Sequence, residues 1–550
     1  MKRAFSIFGV LLNGEIASAG RKMNLLSDFK DWKFKNPPSY AALPIDDNPE
    51  YNIPVAVKDA VFSKVPTEPL VGNLHLVAAS DGALRDLMDL DPKVAETEDF
   101  IDFVAGKYLP EGGFTVCHRY GGYQFGFWAD QLGDGRAHIL GEYVNSKGES
   151  TQLQLKGSGE TPYSRFGDGR AVLRSSIREL IGAEASYYLG IPTTRAVALV
   201  VSDDHKVYRD KSYTGHARQE RAAVLLRSAA SWFRLGSVEI LDKRKEPELM
   251  KILVDFIIKT HFPEIDAASS DKYVKFYTEV AHRNLDLVAA WQGFGFTHGV
   301  LNTDNVSLHG LSLDYGPYGF IDRFNHRHVP NTSDDGGRYA YCQQMDIMLW
   351  NLARFFEALS PMLPQDQRLQ IIEVSGTLKD YVEDKILRTF LLKLGLKQVK
   401  KQDEKLVKDL LGLMEDTGAD FTATFRQLAE VNTPDLFDKS TLEQQWSLNT
   451  LCKGRSWEQW LCGYVERLDQ EGVSESDRKS RMRGVNPLYV PRNWMLQDAI
   501  ADAENNQFEK VRFLLNLFKN PFELNKEAEE RGFSSPPPNW AYGLKLSCSS

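Results

Sequence analysis

From about residue 113 to 210 the chain reads in short β-like runs broken by glycine-rich turns, and from about 248 onward it reads with helical period. Strands first and helices after restrict it to an α+β architecture or to separate domains. The β-like runs cover 137–143, 151–156 and 196–201, and the spacing predicts a helix over about 171–189. In the helical part Leu253, Phe256 and Ile257, then Tyr277, Val280, Ala281, Leu285 and Val288, fall on one face, which marks them for the core. At 550 residues there is room for several domains or one large decorated fold.

Charge narrows the function classes. Lys plus Arg number 66 against 75 Asp plus Glu, a net −9 that argues against a surface built wholly to grip nucleic acid or anionic lipid. No uncharged apolar run reaches the roughly 18 residues that span a bilayer, so neither nucleic acid nor membrane is expected as a partner. The five cysteines form no CxxC pair and no disulfide framework, which points to a reducing or organellar interior. Residues 1–24 carry Lys2, Arg3, Arg21 and Lys22 with Glu15 the one acid, the pattern of a mitochondrial presequence; a cytoplasmic protein starting at Met23 is the alternative. Residues 36–70, rich in Pro, Asp and Asn, read as an extended arm lying on a domain. The charge run 396–409 reads as a solvated helix face, and 534–550 as a proline-stiffened tail carrying Cys548.

Three clusters carry chemistry. In Gln131-Leu132-Gly133-Asp134-Gly135-Arg136, Gly133 and Gly135 would let backbone amides approach a phosphate and Arg136 adds a planar donor fork, although the same tripeptide suits a hairpin turn. In 153–159 the alternation sets Leu153 and Leu155 on one face and Gln154 and Lys156 on the other. A lysine ending such a strand can reach a nucleotide phosphate if a carboxylate steadies it, and Glu179 on the following helix is the candidate partner. A second glycine turn, Asp168-Gly169, runs straight into that helix, whose first amides suit an anion. Arg174 and Arg178 share a helix face, and Arg227 and Arg234 sit seven apart among apolar neighbours; such arginines commonly hold a fixed anionic partner.

The third cluster is His298-Gly299-Val300-Leu301-Asn302-Thr303-Asp304-Asn305, followed by Asp314-Tyr315-Gly316. It is similar to the HGDLxxxN loop of kinase-like phosphotransferases, in which the Asp is the base, the Asn binds metal, and a second metal-binding Asp follows. Here the base position holds Val300, which accepts no proton. Asn305 and Asp314 keep their places, so oxygen ligation of Mg²⁺ survives while the base moves to Asp304 or is lost.

The segments YGGYQFGFWADQLGDGRAHILGE, QLKGSGETPYSRFGDGRAVLRSSIRE and HGVLNTDNVSLHGLSLDYGPYGFID resemble those of the selenoprotein O, or YdiU, family. The resemblance is dense over 113–351 and returns at 486–494 and in the terminal CSS. It implies a protein-kinase-like bilobal fold in which ATP binds with its phosphates reversed, and transfer of AMP onto Ser, Thr or Tyr hydroxyls of other proteins. By the same resemblance, Gly133, Gly135, Arg136, Lys156, Asp168, Gly169, Arg227, Arg234 and Asp314 match ATP-binding positions, with Lys156 paired to Glu179. Asp304 matches the catalytic base, and Asn305 and Asp314 the Mg²⁺ ligands, with Mn²⁺ an open alternative. Cys548 falls where animal members carry selenocysteine, which suggests a redox thiol, and Pro330 stands where several relatives have cysteine, so a disulfide through that position is absent.

The expected organisation is a targeting segment over 1–30, an arm over 31–104, an α/β lobe over 105–235, a helical lobe over 236–360, helical additions over 361–533, and the tail. The expected partners are ATP and protein acceptors. A conventional phosphotransferase and a non-catalytic ATP-binding scaffold, the latter suggested by Val300, remain alternatives.

Overall fold

A mixed sheet dominates the first half of the chain. In this computed structural model, which describes residues 25–210, 215–544 and 546–547, its strands are β1 (Ile45–Asp46), β2 (Phe62–Lys64), β3 (Leu74–Ala79), β4 (Val116–His118), β7 (Ala137–Val144), β8 (Ser150–Lys156), β9 (Ala171–Val172), β10 (Arg195–Arg209) and β11 (Arg218–Ala229). The order across the sheet is β1-β2-β4-β7-β8-β11-β10-β3, with β9 paired to β11. A hairpin of β5 (Gly121–Gln124) and β6 (Phe127–Gln131) stands apart from it. The presequence-like stretch 1–24 and Cys548 lie outside the described residues.

The register of β8 positions the site. Gln154 is opposite Arg227 of β11 and Ile139 of β7, and Lys156 is opposite Leu225 and Ala137. Directly opposed residues share a face. Gln154, Lys156 and Arg227 therefore project together, while Leu153, Leu155, Val224 and Leu226 project the other way into a core with Phe100, Phe103 and Trp32. The helix Leu173–Leu189 covers the first face through Ile177, Leu180 and Ile181, and Gly190, at φ +84°, lets the chain turn out of it.

The segment 31–104, expected as an extended arm, is part of this architecture. Its β2 pairs with β4, β3 closes the far edge against β10, and Trp32, Phe34 and Tyr40 are buried. The Trp32 indole N–H donates to the Met88 carbonyl at 3.0 Å, and the Tyr40 hydroxyl to that of Phe114 at 2.7 Å.

Helices fill the rest. Pro247–His261, Lys272–Phe294, Gln344–Leu359 and Gln365–Lys393 share the large core with the sheet, where Leu253, Ile257, Tyr277, Val280, Ala281, Leu285 and Val288 are all buried. A second core, around Leu410, Phe421, Phe425 and Trp460, belongs to the later helices. In the charge run, Lys405 and Lys408 are solvated, but Asp403 is buried against Arg467 at 2.8 Å. Among the described residues no helix is long and apolar enough to cross a membrane.

Candidate active site

Two short strands close the loop that faces the sheet. After the helix Lys272–Phe294, β12 (Phe296–Thr297) pairs with β13 (Gly319–Phe320), and the chain between them carries Asp304 and Asp314. Its base is clamped: the Gln344 amide donates to the Phe296 carbonyl at 2.9 Å and accepts from the His298 N–H at 3.0 Å, and Asn351 donates to the Leu301 carbonyl at 3.1 Å. Backbone bonds between Leu235 and Val306 (2.9 Å) and between Leu308 and Phe233 (3.0 Å) fix the loop to the segment that follows β11.

On the sheet face beneath, Lys156 Nζ lies 2.7 Å from Glu179 Oε2 and 3.0 Å from Asp314 Oδ1. Arg227 Nη1 lies 2.5 Å from Glu179 Oε1 and 2.6 Å from the same Asp314 oxygen, and its second nitrogen donates to Gln154. The guanidinium also stacks 4.7 Å over the Trp232 ring. Burial alone would raise the Asp314 carboxyl, but Lys156 and Arg227 outweigh it and hold the group well below the usual carboxylate range. For Arg227, burial works against the charge and is overcome by Glu179 and Asp314. Both cations contact Oδ1, which leaves Oδ2 of Asp314 with no partner among the described residues.

Arg234 lies on the other side. Its guanidinium donates to the Asp304 carbonyl at 2.8 Å, stacks 4.0 Å over Tyr120 and stands 3.8 Å from Asp134. Asp134 in turn accepts from the His118 N–H and from the Gln154 amide, each at 3.2 Å. Burial raises the Asp134 carboxyl against the pull of Arg234. Asp304, 7 % exposed, accepts from Gln124 Nε2 at 3.3 Å, and burial pushes its carboxyl up to about 6 despite Arg234. Asn305 donates to the Val300 carbonyl at 3.0 Å, so its amide oxygen is the atom with capacity for a cation.

Arg136 belongs to the same field. Burial lowers its affinity for the proton, while Asp314 and Glu179 raise it. The glycine turns are shaped by close packing. The Gly135 N–H bonds to the Gly133 carbonyl at 2.9 Å, its own carbonyl accepts from Ser164, and a Cβ on Gly135 would meet the Tyr163 carbonyl at 2.7 Å. These glycines, Gly133 at φ +83°, are thus required by the close approach of the 161–164 loop. Asp168 is held by both guanidinium nitrogens of Arg209 at 2.7 Å and accepts from the Arg170 N–H, and Gly169, at φ +65°, packs on Gly159. That turn stitches its loop to β10. Arg174 is bonded to Glu220, and Arg178 to the Tyr318 carbonyl and Asn493.

In the sequence Gln154 shares a face with Lys156 without a task of its own, Asp134 reads only as part of a turn, and Tyr120, Gln124 and Glu239 fall in none of the three clusters. Only Glu239 had a visible signal, an acid within the apolar run Leu235-Gly236-Ser237-Val238-Glu239-Ile240-Leu241.

The comparison with known families falls on this constellation. The family described as protein adenylyltransferase SelO matches residues 55–519. The chain belongs to the SelO family. Three relatives, each named protein nucleotidyltransferase YdiU, agree over nearly their full lengths. The protein of Bordetella avium is 41 % identical over 501 residues, covering 90 % of this chain and 97 % of its own. That of Pseudomonas fluorescens Pf0-1 is 38 % identical over 493 residues, covering 90 % and 96 %. That of Myxococcus xanthus is 39 % identical over 475 residues, covering 86 % and 93 %. The match to the SelO family spans the sheet apart from β1, the 298–318 loop and most of the later helices.

Among the described residues no three His, Cys, Asp or Glu side chains gather as a metal cluster. The oxygens that do remain, Asp314 Oδ2 and the Asn305 amide oxygen, are hard donors of the kind Mg²⁺ takes when nucleotide phosphates and water complete its shell.

Proposed function

We propose that this SelO-family chain transfers AMP from ATP to Ser, Thr or Tyr hydroxyls of proteins and releases pyrophosphate. The carrying observation is that Lys156 and Arg227 are both tethered to Glu179 and Asp314 on a buried sheet face, with Arg136 and Arg234 flanking them. A leaving pyrophosphate develops charge away from the attacking hydroxyl, and fixed cations beneath the cleft are where that charge is best met. Glu179 holds the two cations in place whether or not Asp314 shares them.

The reading rests on a kinase-like, two-lobed arrangement with the nucleotide reversed, so that its innermost phosphorus faces Asp304. Asp304 accepts the hydroxyl proton; a carboxyl raised to about 6 is largely ionised at neutral pH and is a better base than an ordinary aspartate. Val300, at the usual base position, takes no part. Asn305 and Asp314 are the residues that would hold Mg²⁺, which when bound would neutralise part of the polyphosphate charge. The acceptor proteins are identified only by their hydroxyl chemistry.

A co-crystal with Mg²⁺ and α,β-methylene-ATP tests the orientation. The expected density puts the terminal phosphates beside Lys156, Arg227 and Arg234 and the α-phosphorus toward Asp304. A terminal phosphorus facing Asp304 would contradict the reading.

A further inference from the structure

The β5–β6 hairpin is fastened along the catalytic loop. Its Tyr123 N–H donates to Thr303 Oγ1 at 2.8 Å, and its Phe125 N–H to Asn302 Oδ1 at 3.2 Å and to the Tyr339 hydroxyl at 2.9 Å. At the turn, a Cβ on Gly126 would stand 3.3 Å from Arg338 Cζ, whose guanidinium lies 4.8 Å over the Trp350 ring. Nearest the site, Gly122 passes so close that a Cβ on it would sit 2.7 Å from Asp304 Oδ1. That oxygen is buried with no hydrogen-bond partner, and the other accepts from Gln124. With the hairpin in this position Asp304 is only 7 % exposed, its Oδ1 is sealed from solvent and its Oδ2 is taken by Gln124.

The fastening has a foundation. Thr303 Oγ1 donates to Glu239 Oε2 at 2.6 Å, and Glu239 is 1 % exposed with its other oxygen unpartnered. Burial pushes this carboxyl up to about 8, so it stands as a neutral acid. Such a buried acid, with no ion pair among the described residues, is costly unless its hydrogen bond does something. Here it fixes the Thr303 hydroxyl that receives the hairpin. Gly236 of the same helix, Leu235–Lys243, packs on the Gly121 carbonyl.

We infer that the hairpin Gly121–Gln131 is a lid over Asp304, latched through Thr303 to Glu239, and that the Gln124 amide occupies the position an acceptor hydroxyl takes when the lid lifts. The amide N–H and a hydroxyl O–H both donate to a carboxylate oxygen, so one replaces the other without rearranging Asp304. The identity of the incoming group rests on the AMP-transfer reading; the lid itself rests on the contacts alone. Lids of this kind decide substrate entry and often set turnover.

Two measurements on the full chain separate these claims. Carbodiimide-driven amidation of Asp304 by glycine ethyl ester, followed by peptide mass spectrometry without nucleotide, reads the lid. Labelling should be slow in the wild type and about tenfold faster in Thr303→Val and Glu239→Leu, with circular dichroism verifying that each variant is folded. Rates equal to the wild type in folded variants, or a wild type that labels as fast as a surface aspartate, would overturn the lid. Should Glu239→Leu fail to fold, the near-isosteric Thr303→Val decides alone. In the second measurement, label from α-labelled ATP is followed onto casein. Gln124→Ala should raise kcat/KM for casein several-fold at unchanged ATP affinity. A fall instead would make Gln124 a positioning residue for Asp304 and overturn its role as a stand-in. Label arriving from γ-labelled ATP would defeat the AMP-transfer reading while the amidation result still judged the lid.

Discussion

Asp314 Oδ1 accepts from both Lys156 and Arg227, so one oxygen steadies two cations while the other stays available. Asp314→Ala removes both services, and transfer from Mg-ATP should fall by at least about 10²-fold, with the chain still folded because Glu179 continues to pair both cations. Label-transfer assays beside a melting curve check this; near-wild-type turnover would sink the assignment. Far from the site, Lys393 is 3 % exposed among the rings of Phe294, Phe421 and Phe425, with no carboxylate partner among the described residues. Burial lowers its ammonium from 10.5 to about 7. Between those values the unfolded chain binds the extra proton, so this residue makes stability rise with pH from about 7 to 10.5, and below 7 its penalty is fully present. Lys393→Met should therefore raise the unfolding free energy from urea titration at pH 6 by an amount on the order of a few kcal/mol and flatten its pH slope across that window. An unchanged slope would show that the ammonium finds solvent.

At the scale of elements, the N-terminal segment belongs to the sheet. Trp32 stacks on Tyr143 at 4.7 Å and packs edge-on against Phe34. Trp32→Ala should destabilise the protein by about 3–5 kcal/mol in urea unfolding while leaving ATP affinity unchanged in the folded state. A loss under about 1 kcal/mol would mean that the segment is loosely attached. The strands expected over 137–143 and 151–156 occur as Ala137–Val144 and Ser150–Lys156, and the helix expected over 171–189 as Leu173–Leu189. Alternation and glycine punctuation are local signals, and those elements are local. β2 and β3 were illegible because partners far along the chain, β4 and β10, make them strands, and around β2 the Pro-, Asp- and Asn-rich composition of 36–70 spoke for a loop as well. Register is equally non-local. That Arg227 stands opposite Gln154, and so beside Lys156, follows from β11 pairing with β8 and cannot be read from either strand alone.

At the scale of the molecule, the sheet supplies the cations and the helical part supplies the carboxylates of the 298–318 loop, with the hairpin joining the two over Asp304. Motif residues were legible because glycine, acid and arginine types stand out in sequence, but the contacts that fix them were not. The amide of Gly135 is used within its own turn, and Asp168 is held by Arg209, details fixed only when distant loops pack. The central claim is that the group transferred is AMP. The direct test incubates the wild-type chain and Mg²⁺ with casein and ATP labelled either at the α- or at the γ-phosphate. The account predicts α-label on the protein and γ-label recovered in pyrophosphate; γ-label on the protein with ADP as product would contradict it.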